Sequence, residues 1–304
     1  MPERIYDTIV VGGGPAGITS SIYLARRKLC ILMVYEQMGG QAFITADIQN
    51  YSGYRFISGD EFTKRLSEHL NDYDLDCAEE KVVGVTKSDH LFEVKTTKNS
   101  YRGKSVVIAS GMRQRLLNIA GESEFLNKGV AYCATCDAPL FKGREVAVIG
   151  GGNSALEAVI QLEKYAKKIY AITINKELMG EVVLIDKVQA MPNVEIIDSA
   201  RTRAIKGDTF VSGMTFDKNG KLIDLAVQGV FIEIGYQPNS EFIDIIGKNE
   251  YGEIKITKEN ETSLKGIFAA GDVTDVPVKQ IIVAAGEGAK AALSAAEYLS
   301  RLRH

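Results

Sequence analysis

Two stretches of this chain repeat the same order of features: a short apolar strand pattern, a glycine turn and a helical pattern. The turns are Gly12-Gly13-Gly14-Pro15-Ala16-Gly17 and Gly150-Gly151-Gly152-Asn153-Ser154-Ala155. A strand that passes through glycines into a helix, and then into a second strand, predicts a βαβ unit of a parallel sheet. The turns begin 138 residues apart (150 − 12). This spacing predicts two related domains, because the units of a solenoid are much shorter.

Length and composition agree with two domains. The chain has 304 residues, of which 25% are charged and 45% hydrophobic, and this globular composition excludes a disordered chain and a small disulfide-stapled protein. The net charge of −3 disfavours a nucleic-acid surface.

The longest uncharged stretch, residues 8–25, is interrupted by glycines and a proline and follows Glu3 and Asp7. It therefore predicts neither a membrane span nor an export signal, and we expect a cytoplasmic protein.

The first glycine turn predicts a dinucleotide site. In a GxGxxG pattern such as Gly12, Gly14 and Gly17, the first glycine permits the tight turn and the second admits a pyrophosphate. The third lets the helix pack on the strand, and the helix N-terminus offers free N–H groups. Glu36 follows Gly17 by 19 residues, where a carboxylate accepts hydrogen bonds from ribose hydroxyls. The alternative is a glycine-rich turn that binds no ligand.

The four cysteines include one close pair, Cys133 and Cys136. In a reducing compartment, such a pair indicates redox chemistry or a metal site. A disulfide between the two closes readily when the second cysteine lies on the first turn of a helix. The dipole of that helix also lowers the pKa of a cysteine thiol. Asp137, the next residue, is a candidate proton donor and acceptor. Half a zinc site or two buried thiols are the alternatives. Zinc needs a second ligand pair, which the isolated Cys30 and Cys77 do not provide, so we predict a redox pair and no metal.

The carboxyl-terminal part of the chain predicts a third feature. A strand pattern from Gly266 ends at Asp272, and a long alanine-rich helix follows at about residues 279–302. An aspartate there can bind polyol hydroxyls, and the helix N-terminus can neutralise a phosphate or an electron-rich ring edge. A capping aspartate is the alternative.

The segments outside these motifs predict further helices and strands. Between the two glycine turns, the pattern predicts a helix over residues 59–73 and strands of a small antiparallel layer at 81–87, 91–97 and 104–109. After the second turn, it predicts strands at 193–197, 202–206, 210–216 and 229–234.

Taken in order, several motifs resemble one family. They are GGGPAG, Gly39-Gly40-Gln41, Cys133-Ala134-Thr135-Cys136-Asp137, GGGNSA and Phe268-Ala269-Ala270-Gly271-Asp272. The chain resembles the low-molecular-weight thioredoxin reductases and, equally, the C-terminal half of the flavoprotein component of alkyl hydroperoxide reductase, to which residues 47–51 and 280–289 are also similar. The resemblance implies an α/β fold of two Rossmann-like (three-layer ββα) dinucleotide-binding domains, the second inserted in the first. Residues 1–113 and 244–304 would form the FAD-binding domain, and residues 114–243 the NAD(P)-like domain with the cysteine pair.

The resemblance also implies cofactors and roles. The residues carried over for FAD are Gly12, Gly14, Pro15, Ala16, Gly17, Glu36, Gly40, Gln41, Asn50, Val83, Gly111, Asp272, Lys279, Gln280 and Ile281. Those carried over for a nicotinamide dinucleotide are Gly150, Gly152, Asn153, Ser154, Ala155, Thr173, Asn175 and Gly235. By the same resemblance Cys136 faces the flavin, Cys133 attacks the disulfide of a partner protein, and Asp137 is the acid and base.

The nicotinamide site departs from the NADPH-specific members of the family. Those members carry His-Arg-Arg and a further arginine after the second strand, where this chain has Thr173, Ile174 and Asn175, and later Met179. A 2′-phosphate requires bidentate arginine, and Lys176 is the only nearby cation. The acid that usually holds an unphosphorylated ribose is also missing. The sequence favours NADH over NADPH and leaves open a reduced deazaflavin or ferredoxin as donor, as in some relatives.

The activity implied by the resemblance is that of a thioredoxin reductase. Electrons would pass from a reduced nicotinamide through FAD to the Cys133–Cys136 disulfide, and from there to a thioredoxin- or glutaredoxin-like protein. We expect a separate partner, because the related flavoprotein carries a thioredoxin-like extension and this chain begins with the flavin turn. A homodimer without nucleic-acid or membrane partners is expected, with hinges at residues 112–117 and 237–241. The alternatives are a ferredoxin–NAD(P) reductase, which would lack the cysteine pair, and a flavoprotein that only senses or scaffolds.

Overall fold

The computed structural model describes residues 4–45 and 48–302, which divide into two compact units. The first unit comprises the chain up to Arg113 and from Gln237 onward, and the second comprises Gln114–Tyr236. The second unit is therefore inserted in the first. The chain re-enters the first unit at Gln237, earlier than the predicted residue 244, and Ile243 is accordingly buried in the core of that unit. Glu3 and Asp47, which were named from the sequence, lie outside the described residues.

The first unit is built on a seven-stranded sheet. Its helices and strands are β1 (Ile5–Val11), α1 (Pro15–Ala25), β2 (Ile31–Tyr35), α2 (Gly59–Asn71), β3 (Asp76–Glu79), β4 (Val82–Ser88), β5 (Leu91–Thr96), β6 (Ser100–Ile108), β17 (Ile267–Ala269) and α6 (Ile281–Leu302). The sheet order is β3-β2-β1-β6-β5-β4, and β17 also pairs with β6. The pairs β3–β2, β2–β1, β1–β6 and β6–β17 are parallel. The pairs β6–β5 and β5–β4 are antiparallel.

Strand β6 joins the two parts of this sheet. Its first half pairs with β5 in the antiparallel sense, and its second half lies in parallel between β1 and β17. Residues 104–109 were predicted within the small antiparallel layer, and this prediction is wrong for the second half of β6. The consecutive buried residues Val106, Val107 and Ile108 explain the difference, because a parallel strand covered on both faces has a continuous apolar sequence.

The second unit contains a five-stranded parallel sheet and a separate antiparallel sheet. Its helices and strands are β8 (Val130–Ala131), α3 (Ala134–Asp137), β9 (Glu145–Ile149), α4 (Asn153–Leu162), β10 (Lys168–Ile172), α5 (Val182–Gln189), β11 (Val194–Ile197), β12 (Ala200–Gly207), β13 (Val211–Lys218), β14 (Lys221–Leu225) and β15 (Gly229–Ile232). The parallel order is β11-β10-β9-β15-β8, and β12, β13 and β14 form the antiparallel sheet.

Two further short strands, β7 (Met112–Gln114) and β16 (Tyr236–Pro238), lie where the chain leaves and re-enters the first unit. Both fall within or beside the segments predicted as hinges. Helix α6 packs along α1 and buries its alanine face, including Ala291, Ala292 and Ala295, against the core of the first unit. Within the described ranges, no helix combines the length and the apolar character needed to cross a membrane.

Candidate functional site

The first glycine turn connects β1 to α1, and its backbone requires glycine. Gly12 has a φ of +125°, and a Cβ there would lie 2.1 Å from the Ala109 carbonyl oxygen. A Cβ at Gly17 would lie 1.9 Å from the Gly12 carbonyl oxygen, so the helix approaches the turn closely. At Gly14, the residue before α1, the nearest atom to a Cβ is 4.0 Å away. The turn therefore leaves open space in front of the α1 N-terminus, where free N–H groups attract an anion.

This open space belongs to a cleft of about 830 Å³ in the first unit. The volume lies within the usual range for small-molecule and cofactor sites. The residues predicted for FAD that line it are Gly12, Gly14, Pro15, Ala16, Glu36, Gly40, Gln41, Val83, Gly111, Asp272, Gln280 and Ile281. The structure thus brings together residues from distant segments of the sequence.

The other three residues predicted for FAD do not line the cleft but lie next to it. Gly17 is buried in the close packing of the turn. The Asn50 side-chain amide donates a hydrogen bond to Gln280 Oε1 at 3.0 Å, so it positions a residue that lines the cleft. Lys279 forms an ion pair with Glu253 (Nζ–Oε1 2.9 Å) and donates to the carbonyl oxygens of Asp272 and Thr274. Its ammonium group therefore supports the loop that carries Asp272.

Two carboxyl groups in the cleft have different environments. Glu36 is exposed and makes a surface ion pair with Lys81 (Nζ–Oε2 3.5 Å), a contact that contributes little and is easily exchanged. Burial raises the pKa of Asp272, and the charge of Lys279 partly opposes this shift. One carboxylate is thus available for ribose hydroxyls, and the other is a half-buried acceptor. Together with the glycine turn, this set of groups fits FAD, which presents a pyrophosphate and many hydroxyls.

The cleft also contains charged residues that the sequence did not identify. Arg113 forms an ion pair with Glu241 and donates to Asn239 Oδ1 at 2.7 Å. All three side chains line the cleft. Asn239 and Glu241 fall within a predicted hinge, but nothing in the local sequence distinguishes them from ordinary surface residues.

The second glycine turn connects β9 to α4 with the same geometry. Gly150 has a φ of +145°, and a Cβ there would lie 2.3 Å from the Glu233 carbonyl oxygen. No atom lies within 4 Å of a Cβ built on Gly152, which precedes α4 in an extended conformation. The structure therefore shows at both turns the same combination of a crowded first glycine and an open glycine before the helix.

Neutral side chains occupy the positions after β10 that face this second turn. Thr173 is buried, and its hydroxyl accepts a hydrogen bond from the Asn175 N–H at 3.2 Å. Both residues lie beside Gly151. Ile174 and Met179 are 56% and 70% exposed, so two of the three positions that the resemblance aligns with arginine are apolar and open to solvent, and the third holds the neutral Asn175.

The remaining residues predicted for the nicotinamide site also lie around the second turn. Ser154 and Ala155 are in the first turn of α4, and Gly235 follows β15 with a φ of +96°. The Asn153 side chain donates to Glu181 Oε1 (3.2 Å) and accepts from the Glu181 N–H (2.8 Å). No sequence pattern had pointed to Glu181. Its carboxylate adds a negative charge beside the turn, and this charge disfavours the binding of a ribose 2′-phosphate there.

Cys133 and Cys136 form a disulfide, as the sequence predicted. Helix α3 begins directly after Cys133, and the Cys136 N–H donates to Cys133 Sγ at 3.2 Å. Both cysteines and Asp137 are half-buried. The second cysteine therefore lies on the first turn of a helix, the arrangement that supports thiol–disulfide chemistry. Cys77 is exposed and Cys30 half-buried, and neither is bonded to another cysteine.

A buried acid that no sequence motif had indicated lies near this disulfide. Glu233 follows β15 and is only 8% exposed. Its Oε1 accepts a hydrogen bond from the Ala134 N–H at 3.4 Å. Burial raises the pKa of Glu233 to about 7, and the charges of Glu157 and Asp137 contribute to the rise. The only available signal was an acid directly after the apolar residues 229–232.

Comparison with known proteins places this geometry in a family. Residues 6–288 match the family model described as pyridine nucleotide-disulphide oxidoreductase. The chain is 40% identical over 300 residues to a protein named NADH dehydrogenase from Bacillus subtilis, with 97% of the chain covered. It is 39% identical over 307 residues to the F subunit of alkyl hydroperoxide reductase in Escherichia coli, with 98% covered. In both cases the chain spans 59% of the relative's length.

Several solved structures match this chain over nearly their full length. Thioredoxin reductase from Streptococcus pyogenes is 34% identical with a TM-score of 0.92, covering 98% of this chain and 99% of that one. Thioredoxin reductase from Giardia duodenalis is 30% identical with a TM-score of 0.90, covering 98% and 100%. A ferredoxin-flavin thioredoxin reductase from Clostridium acetobutylicum is 30% identical with a TM-score of 0.56, and 99% of each chain is covered. The chain therefore belongs to the pyridine nucleotide-disulphide oxidoreductase family and has the fold of its thioredoxin reductases.

Proposed function

We propose that this chain is an FAD-dependent thioredoxin-disulfide reductase that passes electrons from a reduced donor to a thioredoxin- or glutaredoxin-like protein. The observation that carries the proposal is the Cys133–Cys136 disulfide on the first turn of α3. It occurs in a chain that also contains a cleft fit for FAD. The homodimer remains a prediction from the resemblance, and the cytoplasmic compartment remains a prediction from the sequence.

The first unit would hold FAD through groups that match its parts. The N–H groups at the α1 N-terminus would hold the pyrophosphate. Glu36, which lines the cleft, would accept hydrogen bonds from ribose hydroxyls. Asp272, held in its loop by Lys279, would accept hydrogen bonds from the polyol chain. When bound, FAD supplies a two-electron carrier that accepts hydride equivalents and can reduce a disulfide.

The cysteine pair would carry out disulfide exchange. Two electrons and two protons break the Cys133–Cys136 bond and give two thiols. The Cys133 thiolate then attacks the disulfide of the partner protein, which forms a mixed disulfide and releases one partner thiolate. Cys136 attacks Cys133 Sγ, which releases the second partner sulfur and restores the internal disulfide. We assign Asp137, at the end of α3, to accept the proton of the attacking thiol and to protonate the leaving sulfur.

The second glycine turn would bind the electron donor, and we favour NADH over NADPH. The Gly150–Gly152 turn offers the same open space as the first turn. The exposed Ile174 and Met179 offer no cation for a 2′-phosphate, and the Glu181 carboxylate opposes one. Thr173 and Asn175 can still donate hydrogen bonds to an unphosphorylated ribose.

A second donor class, reduced ferredoxin or reduced deazaflavin, is the alternative. It is favoured by the absence of a carboxylate at Thr173 and Asn175, where NAD-binding domains usually place one for the ribose. One relative of known structure is named a ferredoxin-flavin thioredoxin reductase. A ferredoxin–NAD(P) reductase activity is less well supported, because such a reaction has no use for the disulfide.

The test uses purified FAD-loaded protein under anaerobic conditions. NADH, NADPH, reduced ferredoxin and reduced deazaflavin are added in turn, and the loss of oxidised flavin absorbance is followed with and without thioredoxin or glutaredoxin. We expect bleaching by NADH at lower concentration than by NADPH, and reoxidation when the partner disulfide is added. Protein that retains no flavin, or bleached protein that leaves every disulfide partner oxidised, contradicts the proposal.

A further inference from the structure

Glu233 is a buried carboxyl group for which the reaction above has no role. It lies at the carboxyl edge of the parallel sheet in the second unit, and its N–H donates to the Ile149 carbonyl oxygen at 2.8 Å. Its own carbonyl oxygen packs against Gly150. The backbone of this residue is therefore fixed, and its side chain is enclosed by protein.

The side chain of Glu233 reaches the segment that carries the disulfide. Ala134, which donates its N–H to Glu233 Oε1, is the residue directly after Cys133 and the first residue of α3. Among residues 4–45 and 48–302, no lysine or arginine forms an ion pair with Glu233. A carboxyl group that is buried without a cation favours its neutral form.

The charged groups that act on Glu233 are also acids. Asp137 approaches from α3 and Glu157 from α4, and both favour the protonated form of Glu233. The Ala134 N–H acts in the opposite direction. With its pKa near 7, Glu233 changes charge in the range where cysteine thiols begin to ionise.

We propose that Glu233 is a positioning residue that controls the ionisation of the Cys133–Cys136 thiols. As a neutral acid it permits a thiolate at the start of α3, and as a carboxylate it opposes one. Glu233 Oε1 accepts its hydrogen bond from the residue that directly follows Cys133. A carboxylate at Glu233 and a thiolate of the pair repel each other across this short link, so the carboxyl and the thiol titrate as a coupled pair. When a thiol loses its proton, Glu233 keeps its own and so adds no further negative charge beside the thiolate.

This inference rests on the proposed function only in taking Cys133 and Cys136 as the working thiols. A purely structural role for Glu233 would be to accept the Ala134 hydrogen bond. Glutamine retains the shape and the acceptor oxygen of glutamate but cannot ionise. The Glu233→Gln variant therefore separates the two roles.

The experiment measures thiol reactivity against pH without any electron donor or partner protein. FAD-loaded protein is reduced anaerobically with dithiothreitol, which becomes a cyclic disulfide as the Cys133–Cys136 bond opens, and the reagent is then removed. Iodoacetamide labelling of the Cys133–Cys136 peptide is followed by mass spectrometry between pH 6 and pH 8. The exposed Cys77, labelled in the same sample, is the internal reference.

We expect the ratio of labelling rates, Glu233→Gln over wild type, to rise from about one at pH 6 to several-fold near pH 8, since a shift of one pKa unit changes the thiolate fraction up to about tenfold. The matched control Glu157→Gln removes a neighbouring but exposed carboxylate, and its ratio should change far less with pH than that of Glu233→Gln. A ratio for Glu233→Gln that does not change with pH overturns the inference, as does an equal rise for Glu157→Gln.

The wild-type protein alone supplies a second readout if the variant does not fold. Its labelling profile should require two ionisations, one of them near pH 7, and a profile with a single ionisation also overturns the inference. Failure of the proposed function would instead appear as no reduction of any partner by any donor. The two failures are distinguishable, because the labelling needs neither donor nor partner.

Discussion

The two glycine turns have nearly the same backbone and different surroundings. At both, the first glycine has a positive φ and no room for a Cβ, while the glycine before the helix faces open space. The first turn opens into a cleft with Glu36 and Asp272, whereas the second is flanked by exposed apolar side chains and Glu181. The turn geometry therefore predicts a dinucleotide, and the neighbouring side chains decide which dinucleotide is accepted.

The acids next to the two turns, the half-buried Asp272 and the buried Glu233, also differ. Asp272 in the first unit lies near Lys279, whose ammonium group donates to the carbonyl oxygen of Asp272. The groups that act on the protonation of Glu233 in the second unit are two acids, Glu157 and Asp137, and the Ala134 N–H. A cation near a buried carboxyl favours the charged form. We therefore expect Asp272 to serve as a fixed acceptor and Glu233 to respond to pH.

The largest expected effect comes from the cysteine pair, which should separate the tasks of the two units. Replacing Cys136 with serine should leave FAD bound in the first unit but lower reduction of a thioredoxin disulfide by roughly three orders of magnitude or more, because the exchange loses one of its two sulfurs. The Cys77→Ser variant is the control, since Cys77 is exposed and not bonded to another cysteine. Steady-state turnover of both variants gives the answer, and a Cys136→Ser enzyme with normal turnover would contradict the assignment.

The glycine turns can be tested one against the other. The Gly12→Ala variant should lose FAD and destabilise the first unit by about 3 kcal/mol, because its Cβ meets the Ala109 carbonyl and its φ is unfavourable for alanine. The Gly150→Ala variant should keep FAD and lose reduction by NADH. Flavin absorbance after gel filtration and thermal unfolding are the measurements.

The control for both glycine variants is Gly286→Ala, in α6. No atom lies within 4 Å of a Cβ at this exposed position, so alanine should be neutral or stabilise the helix by up to about 1 kcal/mol. Equal loss of FAD from the Gly12 and Gly150 variants would remove the distinction between the two turns.

The buried acid of the second unit should make stability depend on pH. In the unfolded chain Glu233 releases its proton near pH 4.5, and in the folded chain near pH 7. The folded state therefore binds more protons between these values, and the contribution of Glu233 to stability is lost as the pH rises through 7. From pH 5 to pH 8, the free energy of unfolding of Glu233→Gln should gain about 2 kcal/mol relative to wild type.

Urea unfolding at the two pH values measures this difference, with Glu157→Gln as the exposed control. A constant difference between Glu233→Gln and wild type at both pH values would show that Glu233 does not carry the shifted proton.

The smallest expected effect is a change of donor preference. The double substitution Ile174→Arg with Asn175→Arg gives the second turn the cations that a 2′-phosphate needs. We expect the ratio of kcat/KM for NADPH over NADH to rise by about tenfold or more, since a charged hydrogen bond contributes about 1.5 to 3 kcal/mol. The double glutamine variant controls for side-chain length, and an equal rise in that variant would show that charge is not the cause.

Much of the fold could be predicted from the sequence, because its signals are local. The apolar strand before each glycine turn, the helix after it and the helical turn at Cys136 all follow from patterns within about ten residues. Strands β3, β7, β8, β14 and β16 and helix α5 were not predicted, and β7, β8 and β16 have only two or three residues each. β3 is a short edge strand, β14 is largely exposed, and α5 begins with the exposed Val182 and Val183, so none of them shows clear apolar periodicity.

The candidate site was only partly predictable for a different reason. Glycine spacing and the cysteine pair are motifs, but Glu233, Glu181 and the Arg113–Glu241 ion pair depend on contacts between distant segments. Glu233 lies 99 residues from Ala134, to which it is hydrogen-bonded. Sequence periodicity shows which residues are buried, but it does not show which charged side chain faces which neighbour.

The most direct measurement counts the thiols that appear when the FAD-loaded protein is reduced anaerobically by its donor. Denaturation in a thiol reagent, followed by mass spectrometry of the Cys133–Cys136 peptide, should show two new thiols per bound flavin, and none in a sample without donor. If the flavin is reduced while Cys133 and Cys136 remain joined, electrons do not reach the disulfide, and the chain is not a disulfide reductase.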